Sequence, residues 1–154
     1  MTDAWSNRIS ATDHLETLPE IPSWKVEDSI KLAGILAEHG VDFIDVSSAG
    51  NHPRQALGPL AHTPAFQANF SAQIKAAVGD KILVGAVGGI TSGTLAQSIL
   101  DEGKADVIFV GRMFQKNPGL VWAFADELGV ELHHSLQIGW GFQGRALKKQ
   151  SQEK

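Results

Sequence analysis

The stretch Lys81–Arg112, KILVGAVGGITSGTLAQSILDEGKADVIFVGR, decides how the chain folds. Its first apolar run, Ile82 to Val87, is short, rich in β-branched residues and not alternating. A parallel strand covered on both faces reads this way. Thr91-Ser92-Gly93 then opens a helix whose apolar positions Leu95, Ile99 and Leu100 recur at helical spacing, and Gly103 closes it. Ala105 to Val110 make the next strand, followed at once by Gly111-Arg112. The result is one β-turn-α-β unit with glycine and polar chemistry at the C-terminal ends of both strands, where parallel α/β folds bind ligands.

Outward from this unit the same alternation continues. Asn7 to Ala11 offers a short, weak strand, and Pro19 and Pro22 mark a loop. Ser23 is placed to cap a helix running to about His39, which Gly40 stops. Val41 to Val46 is a strand followed by the polar segment Ser47-Ser48-Ala49-Gly50-Asn51-His52-Pro53, and Pro64 starts a helix through about Val78. Beyond Arg112, Met113 to Asn117 reads as a connection, Pro118 starts a helix to about Leu128, and the tail from residue 131 is loop-like and polar at its end. The order β-α-β-α-β-α-β-α predicts an α/β fold with a parallel sheet and covering helices. A full (β/α)8 barrel needs about 250 residues. Half of such a barrel and a small open sheet both fit the periodicity.

Bulk properties narrow the partners. The 154 residues suit a single domain, here residues 1–154 with a core over 8–130 and a tail over 131–154. A net charge of −4 supplies no basic field for nucleic acid. No apolar run approaches the roughly 20 residues that cross a bilayer, and MTDAWSNR does not read as a secretory leader. With no cysteine there is neither a disulfide nor a thiolate site. The expected location is the cytoplasm.

Two constellations could carry chemistry. Gly88-Gly89 with Thr91 and Ser92 places backbone N–H groups at a glycine turn and at a helix start, which together suit an anion. A tight β-α turn would use the same glycines. Gly111-Arg112 places a guanidinium at a strand end, where it reaches a phosphate or carboxylate, or forms a rim salt bridge. The two follow successive strands, as do the last two βα loops that form the barrel phosphate pocket with a short extra helix. Asp42 and Asp45 are not spaced to share a strand face, and Asp45 reads as structural. His52 reads as a turn residue, His133-His134 lack further ligands at metal spacing, and Trp122 and Phe124 read as packing. The sequence contains no Walker loop and no tyrosine.

Taken in order, the segments RISATD from Arg8, VDFIDVSSAGNHP from Val41, VGAVGGIT from Val84 and ADVIFVGRMFQKNPG from Ala105 resemble the C-terminal half of an old yellow enzyme, in the NADPH dehydrogenase class. NHP and QIGWGFQGR give the resemblance a fungal character. It covers Arg8 to Arg145 and implies the C-terminal half of a TIM barrel. It also implies an oxidoreductase that moves hydride from NADPH through FMN to an activated alkene, with an enone-type small molecule as substrate. By resemblance, Arg8 faces the pyrimidine edge of the flavin and Ser47 and Ser48 form the loop beside it. Val87, Gly88 and Gly89 form a turn meeting the phosphate, and Gly111 and Arg112 bind that phosphate. The tail around Trp140 corresponds to a segment that reaches a neighbouring subunit in relatives. The family's histidine pair and catalytic tyrosine belong to its N-terminal half, so the resemblance assigns this chain no catalytic residue and no metal ligand. A second copy or a complementary half-barrel would complete the fold. The other reading is a half-barrel without turnover that binds flavin or phosphate at most.

Overall fold

The computed structural model describes residues 4–50, 52–55 and 62–143. Four parallel strands form one sheet in chain order: β1 (Ser6–Ser10), β2 (Phe43–Ser47), β3 (Leu83–Val87) and β4 (Val107–Phe109). Between and after them lie α1 (Val26–Glu38), α2 (Ala68–Val78), α3 (Gly93–Asp101), α4 (Arg112–Lys116), α5 (Leu120–Leu128) and α6 (Gly139–Gln143). The register sets Arg8 opposite Asp45, Asp45 opposite Gly85, and Gly85 opposite Val107.

Alternation along each strand sends successive side chains to opposite faces. Ile44, Val46, Val84 and Ala86 are fully buried on one face. They pack with Ala33 of α1, Ile74 and Val78 of α2, and Ala96 and Ile99 of α3. The opposite face carries Arg8, Phe43, Asp45, Ser47, Leu83, Gly85, Val87, Val107 and Phe109. No core cluster forms there among the described residues, and Leu83 is 52% exposed. Helices on one face only, with strand order equal to chain order, is the winding of a barrel wall. A doubly wound open sheet covers both faces and reverses its order. The fold is therefore α/β of the partial-barrel kind, which periodicity alone left open.

Several boundaries differ from the sequence reading for identifiable reasons. β1 forms from Ser6 although the preceding residues offer little apolar lead-in, because Trp5 is clipped to Asp42: its N–H donates to the Asp42 carboxylate at 2.8 Å and its carbonyl accepts the Asp42 N–H at 2.9 Å. Lys25, not Ser23, caps α1. Trp24 is pinned to Asp13 by its backbone in both directions, which holds this segment out of the helix. α2 begins at Ala68 rather than Pro64 because Ala65 has φ of 50° and cannot continue a right-handed helix. Residues 113–116, expected as a connection, are helical, and so are residues 139–143 of the tail. Asn51, Arg145 and the polar terminus 148–154 lie outside the described residues.

Gly85 has a packing reason to be glycine. A Cβ there would lie 2.6 Å from Phe43 Cζ and 2.9 Å from Phe109 Cε2. Those two rings, 5.5 Å apart, close over its backbone.

Candidate anion-binding cleft

A cleft of about 360 Å³ opens at the C-terminal ends of β3 and β4. Val87, Gly88, Gly89 and Thr91 form one wall, and Gly111, Arg112 and Lys116 form the other. Five of the eight sequence-derived site residues thus meet in one place: Val87, Gly88, Gly89, Gly111 and Arg112.

Its first wall turns sharply. Gly88 has φ of 103°, a conformation open to glycine, and the side chain of Gln67 fills the space beside it. A Cβ on Gly88 would lie 2.3 Å from Gln67 Nε2. Gln67 is 7% exposed, and the Ala65 N–H donates to the Gly89 carbonyl at 3.3 Å. The segment before α2 therefore braces the glycine turn from behind, leaving its front as bare backbone toward the cleft. Sequence reading had no signal for Gln67, since its contact spans a turn and a whole helix–strand connection.

The second wall is α4. Arg112 and Lys116 are one helical turn apart and lie on the same side of it. Both are exposed, and neither has an ion-pair partner among the described residues. The rim-salt-bridge reading of Arg112 therefore finds no partner among the described residues. Lys116 was not singled out from the sequence, because five residues show no helical period that would align it with Arg112.

The α3 N-terminus does not join the anion site as expected. Ser92 Oγ caps it by accepting the Leu95 N–H at 3.2 Å. The Glu127 carboxylate on α5 accepts the N–H of Gly93 at 2.7 Å and the hydroxyl of Thr94 at 2.7 Å. The Thr94 hydroxyl, with the Gly93 and Thr94 N–H groups, holds the Glu127 carboxyl below its ordinary value. A carboxylate of this chain already occupies the positive end of the helix. The cleft must draw an anion with Arg112, Lys116 and the glycine turn.

Arg8, Ser47 and Ser48 do not line this cleft. Arg8 forms an ion pair with Asp45 through both Nε and Nη2 on the uncovered sheet face. Asp45 is buried, with Oδ1 lacking a hydrogen-bond partner, whereas the Arg8 side chain stays 61% exposed. Ser47 Oγ donates to the Ile9 carbonyl at 3.0 Å, and Ser48 Oγ lies 2.9 Å from His14 Nε2. The serines thus tie the second strand end to the first. Farther away, His52 Nδ1 accepts the Arg54 N–H at 3.1 Å as a turn residue, and His134 stacks on Phe142 at 3.9 Å beside Trp122. Trp122 is thus part of a tail cluster, while Phe124 packs on the α3 core. No helix among the described residues is long and apolar enough to cross a membrane.

The chain is 52% identical over 145 residues to an NADH:flavin oxidoreductase of Gibberella zeae, an alignment covering 90% of this chain and 34% of that protein. It is 38% identical over 138 residues to an NADPH dehydrogenase of Geobacillus thermodenitrificans (88% of this chain, 37% of the relative). Against an NADPH dehydrogenase of Bacillus subtilis the identity is 33% over 140 residues, covering 86% of this chain and 37% of the relative. The chain spans about a third of the length of the curated relatives it matches. No family model matches it.

Proposed function

The chain belongs to the old yellow enzyme family, matching a C-terminal portion of such proteins, and from this premise we propose that it forms the phosphate-binding part of an FMN-dependent NADPH dehydrogenase. The observation that carries this reading is the cleft, with two unpaired cations facing a bare glycine turn. A phosphate dianion fits that donor set: Arg112 grips two oxygens through its planar fork, and Lys116 adds a point charge. Gly88 keeps the turn in the shape that presents its backbone to the cleft, since any side chain there would meet Gln67 behind it. Asp45 holds the Arg8 guanidinium on the sheet face, leaving its exposed part to meet the electron-rich edge of the ring. FMN, when bound, supplies the hydride chemistry between NADPH and an activated alkene such as an enone. The setting of this chemistry is the cytoplasm.

The test compares FMN with riboflavin, which lacks the phosphate. Isothermal titration should show FMN binding about 10- to 100-fold more tightly, the worth of one or two charge-assisted hydrogen bonds. Equal affinities would exclude a phosphate role for the cleft.

A second reading is favoured by the uncovered sheet face: a partial barrel that retains flavin or phosphate without turnover. NADPH oxidation by the flavin-loaded chain separates the two, since only the first reading consumes NADPH.

A further inference from the structure

The sheet leaves two strand edges and one face without partners among the described residues. β1 is bonded only to β2, and β4 only to β3. On the uncovered face, Leu83 is 52% exposed and Val107 is 36% exposed, and Trp5 beside β1 is 68% exposed. Open edges and an apolar face of this kind seek a partner. The geometry restricts which one. All four strands run in one direction in the order β1-β2-β3-β4, so β1 and β4 present parallel edges on opposite sides. A half-turn about an axis parallel to the strands sets β4 of one copy beside β1 of the other, twice, with every strand still parallel. Eight strands result, the number whose interior its own side chains fill. A two-fold axis across the strands would instead pair one edge with its own copy and leave the other bare.

The face also suits its own copy. Phe43, Leu83, Val107 and Phe109 supply apolar volume, and its one arginine is already neutralised by Asp45. Two copies therefore bring no net charge into the shared interior. We propose that this face and these edges bind a second copy of the chain, in a closed two-fold dimer with β4 of each protomer paired to β1 of its partner. The proposal is tested without flavin.

Light scattering on the gel-filtered 154-residue chain should give a dimer mass at micromolar concentration. Leu83→Glu and Val107→Glu change side chains already exposed in the protomer, so their far-UV circular dichroism should match the parent. Their dimer affinity should fall at least tenfold. Leu136→Ser with Trp140→Ser, on the exposed tail, should leave the dimer intact. A monomeric parent would overturn the proposal, as would open-ended aggregates or a dimer that survives both glutamates. Loss of the dimer in the tail variant would overturn it too, placing the contact on the tail.

Discussion

The Glu127 carboxylate of α5 lies on the first turn of α3, accepting the Gly93 N–H at 2.7 Å. A Cβ on Gly93 would approach the Phe124 carbonyl oxygen to 2.8 Å, so the two helices meet closely where the carboxylate binds. This contact consumes the positive helix end that the glycine turn would otherwise share with a ligand. The attraction for anions is thereby left to the other side of the cleft.

Glu127→Gln should lower the melting temperature and weaken its dependence on acid. The folded pKa of Glu127 lies below the ordinary value of 4.5. Its contribution is therefore fully present above that value and is lost as pH falls through the folded pKa. Melting curves between pH 3 and 7, about the range in which carboxylates titrate, check this. Parent and variant should converge at the acid end; a constant difference would contradict the assignment.

Asp106 and Lys75 should behave as a stabilising pair linking α2 to the start of β4. Lys75 Nζ lies 2.6 Å from Asp106 Oδ1, and the Val84 N–H donates to Oδ2 at 2.9 Å. Burial pushes the Asp106 carboxyl up, but the bonds from Lys75 and Val84 outweigh it, and the pKa is lowered. Asp106→Asn should cost on the order of 1–2 kcal/mol at neutral pH, measured by urea unfolding. The difference should shrink as the solution is acidified below the ordinary aspartate value.

Gly88→Ala should harm both stability and ligand binding. The new Cβ meets Gln67 and the backbone holds φ at 103°, a combination that costs on the order of 1–3 kcal/mol or moves the turn. Gln67→Ala should partly rescue Gly88→Ala by removing the clash. Absence of rescue in a double-mutant cycle would show that backbone strain dominates.

How much of this was legible in the sequence depends on how local each feature is. The apolar run Ile82–Val87, the Ser92 cap and the Gly88-Gly89 turn are written in contiguous residues, and the structure places them within a residue or two of expectation. The pairing of Arg8 with Asp45 required the register of two strands, and the bracing of Gly88 by Gln67 required a tertiary contact. Glu127 acts on Gly93 from a different helix, so nothing near Ser92 in the chain betrays that the helix end is taken. Lys116 became visible only once RMFQK proved helical. Sequence periodicity reports which residues are buried but not on which side of the sheet a helix crosses. The single covered face therefore emerged only in three dimensions.

Retention of FMN by the chain on gel filtration tests the central claim most directly. Flavin absorbance should travel with the protein peak, and Arg112→Ala combined with Lys116→Ala should reduce retained flavin by at least tenfold at about 0.1 M salt, where surface charges act over about 10 Å. A colourless peak from folded parent protein would contradict the account, as would undiminished flavin in the double variant.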